Sequence, residues 1–250
     1  SPASVTIKIV GADDAAKVTV SAEGADSTVY EAGLNPNGSA AAGNSETDSD
    51  SFQVAASDGI KSVVVGGETF TLAQLKDAAY LAANTINTGE GTLTLTGYSG
   101  DAGDMSATIT YSYTLDSAQT HTQPGNDTTL SDSVVVTVNG VGGSSDTANL
   151  TIDIIDDVPK ATADGTQTVT EDGTTSVNGN VLSNDQYGAD GAHATPATAF
   201  SWDANGAAKA ALAVYGTLLL NTDGTYSFAL DNASAAVQSL NASDVIEQTL

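Results

Sequence analysis

Ile109-Thr110-Tyr111-Ser112-Tyr113-Thr114-Leu115 alternates apolar and polar side chains at every step. Successive side chains on a strand point to opposite faces, so this pattern gives one buried face and one wet one. The same alternation occurs in Val5-Thr6-Ile7-Lys8-Ile9, Leu93-Thr94-Leu95, Val134-Val135-Val136-Thr137-Val138 and Leu150-Thr151-Ile152-Asp153-Ile154. Many Gly-marked turns separate these Thr- and Val-rich runs. The expected fold class is all-β, built from antiparallel sheets packed face to face. Helical pattern is confined to short pieces, at residues 72–81 and 235–240, expected to pack across the sandwich ends.

The stretch at 111–116 also recurs. Tyr111-Ser112-Tyr113-Thr114-Leu115-Asp116 returns as Tyr226-Ser227-Phe228-Ala229-Leu230-Asp231, and Gly91-Thr92-Leu93-Thr94-Leu95 as Gly216-Thr217-Leu218-Leu219-Leu220. Earlier in the chain, Thr28-Val29-Tyr30-Glu31-Ala32-Gly33 returns as Thr168-Val169-Thr170-Glu171-Asp172-Gly173. The order is kept while the spacing between copies shrinks, as for two copies of one fold with loops of different length. Thr6-Ile7-Lys8-Ile9-Val10 before Asp13-Asp14 likewise resembles Thr151-Ile152-Asp153-Ile154-Ile155 before Asp156-Asp157. Each reads as a closing strand leading into an acidic join. The expected organisation is therefore a closing strand of a preceding repeat at 1–13, a first sandwich at 14–156, and a second at 157–250 lacking its last strands. A sandwich without those strands exposes unpaired edges, so residues 4–10 of one copy are expected to complete the second unit of another.

Composition narrows the function classes. The 250 residues carry 31 acidic and 6 basic side chains, a formal net charge of −25. Phosphate-directed nucleic-acid binding needs clustered Lys and Arg, and an anionic membrane surface repels such a chain. No stretch approaches the ~18 apolar residues of a membrane helix. With 40% hydrophobic residues, a core is affordable and disorder is not expected. There is no cysteine, so in an exported protein something other than a disulfide must tie the fold together.

The repeated motifs are similar to a known family. Residues 169–173 with Gly179-Asn180-Val181-Leu182-Ser183-Asn184-Asp185, and 215–226 with Leu230-Asp231-Asn232, resemble VCBS-type repeats. Residues 30–34, 89–98 and His121-Thr122-Gln123-Pro124, with Asp153-Ile154-Ile155-Asp156-Asp157-Val158-Pro159, resemble their companion repeats in giant type I-secreted adhesins. The resemblance implies secreted, extracellular tandem Ig-like or cadherin-like β-sandwiches of RTX or biofilm-associated adhesins, anchored at the outer membrane of Gram-negative bacteria. It also implies calcium between repeats, and export unfolded with folding on external calcium. The chain departs from the family at Gln186-Tyr187-Gly188-Ala189-Asp190-Gly191, which has fewer carboxylates, and at Asp13-Asp14-Ala15-Ala16, which lacks a Pro.

Paired aspartates at a join supply the hard oxygens that calcium needs, and a Glu from the next repeat can fold back onto them. The expected metal ligands are Asp13, Asp14 and Glu31 at the first join, and Asp156, Asp157, Glu171 and Asp172 at the second. Asp185 and Asp190 form a further candidate in a Gly-punctuated loop. The competing reading is solvated loop acids that aid solubility. Asp101, Asp104, Asp223 and Asp58 read as turn residues, with Asp223-Gly224 and Asp58-Gly59 closing hairpins.

Catalysis finds no constellation. His121 and His193 stand alone and read as polar surface, with no zinc spacing and no nucleophile elbow. Trp202 reads as a core filler. The sequence thus points to a non-enzymatic spacer whose partners are neighbouring repeats of its own chain, with calcium as cofactor. The alternative is a glycan- or peptide-binding module using 34–50 or 186–210.

Overall fold

A computed structural model describes residues 4–11, 15–19, 26–121, 129–191, 200–203 and 206–250. The chain divides into two compact units, Ser1–Val158 and Pro159–Leu250.

The first unit is a sandwich of two five-stranded sheets. One sheet has the order β1-β3-β8-β7-β6, from Ala16–Thr19, Thr47–Ala56, Ser106–Leu115, Gly91–Gly100 and Ile86–Asn87. The other has the order β2-β10-β9-β4-β5, from Ser27–Tyr30, Ser145–Ile155, Thr129–Gly140, Ile60–Val65 and Glu68–Thr71. Every pairing is antiparallel except that of β2 with β10, which is parallel. The alternation read from the sequence sets the faces. Ile109, Tyr111, Tyr113 and Leu115 of β8 are buried, and they meet Val134, Val136 and Val138 of β9 and Ile152 and Ile154 of β10 in one core. In β4 a bulge between Ile60 and Ser62 breaks the period, so Ser62 and Val63 are buried in succession.

Two hydroxyls tie the sheets across that core. Tyr111 and Ser27 share a hydrogen bond of 2.8 Å, and the Tyr113 hydroxyl donates to Asp132 at 2.8 Å. Burial, reinforced at Tyr113 by the Asp132 carboxylate, pushes both phenols well above their usual range, so they stay protonated and able to donate. These bonds link the two sheets where a cysteine-free chain has no disulfide to do so.

The 72–81 pattern becomes two short helices rather than one. Helix α1 spans Leu72–Leu75 with a Thr71–Gln74 capping box, and α2 spans Ala78–Ala83 behind an Asp77 cap. Asp77 accepts from the N–H groups of Ala79 and Tyr80, which starts a new helix instead of extending the old one. Leu75 and Leu81 are buried in the core, and the pair carries the chain from β5 in one sheet to β6 in the other.

Asp58-Gly59 does not close a hairpin. It joins β3 to β4, which lie in different sheets, so it is a corner between layers. Gly59 has φ 98°, and Asp58 accepts from the Gly142 N–H of the neighbouring β9–β10 turn. Residues 4–11 carry the alternation of a strand but form none. Val5, Ile7, Ile9 and Val10 are exposed, with no paired neighbour among the described residues.

The second unit holds a three-stranded antiparallel sheet of order β11-β13-β12, from Ser176–Asn180, Thr225–Leu230 and Gly216–Leu220. Two further helices accompany it, α3 over Gly206–Ala213 and α4 over Ala235–Gln238. The sheet repeats the centre of the first unit's β3-β8-β7 sheet residue for residue. Gly91↔Leu115, Leu93↔Tyr113 and Leu95↔Tyr111 in the first unit become Gly216↔Leu230, Leu218↔Phe228 and Leu220↔Tyr226 in the second. The third strand follows suit, since Thr47↔Thr114 becomes Ser176↔Ala229. The repeated glycine has the same cause in both copies. A Cβ on Gly91 would meet the Tyr113 ring at 2.5 Å and the Thr114 carbonyl at 2.6 Å. On Gly216 it would meet the Phe228 ring at 2.9 Å and collide with the Ala229 carbonyl.

Trp202 is half-buried rather than in a core. It packs edge-on against Phe200 at 5.2 Å and Tyr226 at 6.3 Å, and its indole N–H donates to the Asn221 carbonyl at 2.7 Å.

Candidate metal centre

Parallel pairing decides what meets at one end of the first unit. Strands β2 and β10 run side by side until Tyr30 faces Ile155. The next residue on each is an acid, Glu31 and Asp156, and the two leave the sheet at the same end. Glu31 opens a 3₁₀ turn, Glu31–Gly33, which keeps its side chain under the sandwich, fully buried. The segment following β8 brings the third component. His121 lies six positions beyond Leu115, and its Nε2 stands 3.3 Å from Glu31 Oε1.

One donor atom from each of Glu31, His121 and Asp156 falls within 4.8 Å of the others. The side chains of His121 and Glu31 are 1% and 0% exposed. Glu31 Oε1 also accepts from the Gln119 backbone N–H at 2.6 Å, which fixes the carboxylate. Nearby, the Glu46 carboxylate lies against Gly33, with Oε2 buried and outside hydrogen-bonding reach of any donor among the described residues. Buried carboxylates are costly unless positive charge or donors face them. The chain's six basic residues are all lysines, and among the described residues their one ion pair is Lys76–Asp104 at 2.6 Å, in the turn region of β7–β8.

His121, expected on the surface, is therefore a buried member of a mixed nitrogen–oxygen cluster. The sequence grouped Glu31 with Asp13 and Asp14, and Asp156 with Glu171. The structure instead brings together Glu31 and Asp156, the acids after the opening and closing strands of one unit. Asp13, Asp14 and His193 lie outside the described residues.

The other candidate acids are engaged elsewhere. Asp157 accepts from the Ser39 N–H at 2.7 Å and the Ser39 hydroxyl at 2.5 Å, holding the turns at 34–46 to the end of β10. In the second unit Glu171 accepts from the Gln238 amide at 2.7 Å. Asp172, at φ 57°, and Asn232 bond each other reciprocally at 3.0 and 2.8 Å. Asp185 takes the Thr162 N–H at 2.8 Å, and Asp190 is exposed.

The turn acids behave as turn acids. Asp101 accepts from the N–H groups of Gly103, Met105 and Ser106 and from the Ser106 hydroxyl, which hold it below the usual carboxylate range. Asp223 is held low by the Thr225 hydroxyl at 2.6 Å and closes the β12–β13 hairpin. Of the two segments considered for ligand recognition, 34–46 is a run of hydrogen-bonded turns and 47–50 belongs to β3. An open depression on the outer face of the first sheet is lined by Lys17, Gln53, Ser99, Asp101 and Thr108, with no aromatic ring.

No protein-family model matches the chain, and comparison with curated proteins gives no match. Among solved structures, the SrpA adhesin from Streptococcus sanguinis aligns over 91% of this chain and 91% of its own, at 11% identity and a TM-score of 0.32. A point mutant of the same adhesin aligns over 90% and 92%, at 11% identity and a TM-score of 0.30. At those values the all-β architecture rests on the strand registers themselves. No helix among the described residues is long and apolar enough to cross a membrane.

Proposed function

We propose that the chain is an extender segment of a secreted, cell-surface bacterial adhesin, with two repeats in series that add length between an anchor and a distal binding domain. One observation carries this reading: the same three-stranded assembly, in the same register and with the same packed glycine, is built twice along one chain. Repetition of one unit in series is how a chain gains reach without a new fold. The acid excess supports the reading, because counter-charge can come from solution as calcium. In this proposal calcium at acids of the joins removes hinge freedom between repeats, as in RTX and biofilm adhesins with VCBS-type repeats. Its role is mechanical support and not catalysis.

Small-angle scattering on the metal-free chain, repeated after adding calcium, tests it. The expected result is a larger and better-defined maximum dimension with calcium. An unchanged dimension overturns the stiffening role, and dose-dependent hits on a glycan array would turn the reading into a binding module.

A further inference from the structure

The geometry points to the cluster of Glu31, His121 and Asp156 as a site for a first-row divalent metal, zinc foremost, and not for calcium. Where the extender reading assigns calcium to acids at the ends of the units, this one position differs by its donor set. Calcium takes about 6–8 oxygen ligands at roughly 2.3–2.6 Å. Here an imidazole nitrogen lies among two carboxylates; the His121 and Glu31 side chains are 1% and 0% exposed and Asp156 is half-buried, so the protein offers a mixed nitrogen–oxygen set and far fewer oxygens than a calcium shell needs. Imidazole with carboxylate suits zinc and its first-row neighbours.

One distance agrees with that choice, and the donor atom of Asp156 lies within 4.8 Å of both partners. Zinc bonds of about 2.0–2.1 Å in a tetrahedron set neighbouring ligands roughly 3.3–3.4 Å apart. His121 Nε2 and Glu31 Oε1 already stand 3.3 Å apart. That exceeds the ~2.7–2.9 Å of a charge-assisted hydrogen bond and matches a tetrahedral edge. The Gln119 N–H on Glu31 supplies the orienting bond that metal-ligating side chains receive from their surroundings. An ion here would also bring positive charge to the end of the unit where Glu46 Oε2 is buried.

Such an ion joins three separate parts of the chain: the turn after β2, the segment after β8 and the end of β10. It is a cross-link of the kind that a chain with no cysteine cannot make by oxidation.

Calorimetry on the metal-free 250-residue chain tests the site, with zinc and with calcium as separate titrants. The expected result is one zinc per chain, not displaced by tenfold excess calcium, with a rise in melting temperature. With only two histidines in the chain, His193→Gln is the control and should bind as the parent does. His121→Gln should weaken zinc by more than the ~10–100-fold typical of losing an outer partner of a ligand. Absence of saturable zinc binding, equal binding by His121→Gln, or displacement by equimolar calcium would each overturn the assignment. Should His121→Gln fail to fold, cobalt bound to the unaltered chain decides. Intense visible bands of a low-coordinate site support the assignment, and a pale six-coordinate spectrum refutes it. The scattering experiment reads calcium alone, so either proposal can fail while the other stands.

Discussion

The two units contain one hairpin in one register, yet its apolar side chains have different fates. In the first unit Leu93, Leu95, Tyr111 and Tyr113 are all fully buried. Their counterparts Leu218, Leu220 and Tyr226 are only half-buried, and Phe228 is 7% exposed. The pairing is the same, so the difference comes from what faces it. The first unit sets β2-β10-β9-β4-β5 against the hairpin's inner face, whereas the described residues of the second form one three-stranded sheet with α3 and α4. Backbone pairing specifies the register, and a facing sheet converts it into buried area, the larger source of stability.

Leucine truncation should expose that contrast most strongly. Leu95→Ala is expected to cost about 2–5 kcal/mol, and Leu220→Ala less than ~2 kcal/mol because much of its surface is already wet. Urea denaturation can read the units separately, because Trp202 is the only tryptophan and lies in the second. Its fluorescence should lose amplitude at lower urea than the far-UV circular dichroism dominated by the first unit. Coincident transitions, or equal losses from the two leucines, would abolish the distinction.

A smaller effect should follow from the inter-sheet bonds, which have no counterpart among the described residues of the second unit. Tyr113→Phe leaves Asp132, 6% exposed, without its phenol donor and should cost about 1–3 kcal/mol in the dichroism transition alone. Tyr111→Phe removes a bond to a neutral hydroxyl and should cost about 1 kcal/mol.

Acid is the smallest perturbation and should treat the units alike. Asp101 in the first and Asp223 in the second are both held below the usual carboxylate range in the folded chain. A depressed folded value means their contribution is complete above the ordinary carboxylate value and is lost as pH falls through the folded one. Both probes should therefore weaken on the acid side below about pH 4, and Asp101→Asn should flatten that limb for the dichroism only.

Strands whose alternating face meets a partner, such as 109–115, are legible in the sequence, whereas Val5-Thr6-Ile7-Lys8-Ile9 alternates as strictly and forms no strand, because its apolar face has nothing to cover it among the described residues. Partition between sheets is not legible, since Asp58-Gly59 looks the same locally whether it closes a hairpin or turns a corner between layers. Helix α3 was hidden in an Ala-rich stretch with little amphipathic contrast. At the candidate metal centre the two acids are legible in the sequence, but their grouping is not. It depends on β2 pairing parallel with β10, a contact between residues far apart in the chain. His121 carried no local signal at all, because its partners sit at positions 31 and 156. The recurrence of a Glu after the opening strand and an Asp after the closing strand was the available clue, and parallel pairing turns it into proximity.

That same parallel pair governs how the first unit answers tension. A pull applied at the start of β2 and the end of β10 acts along the strands, so the bonds joining 27–30 to 152–155 would be sheared together rather than peeled one at a time. An antiparallel hairpin pulled from its two ends unzips bond by bond and yields at low force. Under such a pull that patch should hold until it ruptures as a whole, and an ion across Glu31 and Asp156, immediately beyond it, would clasp the ends of the same two strands.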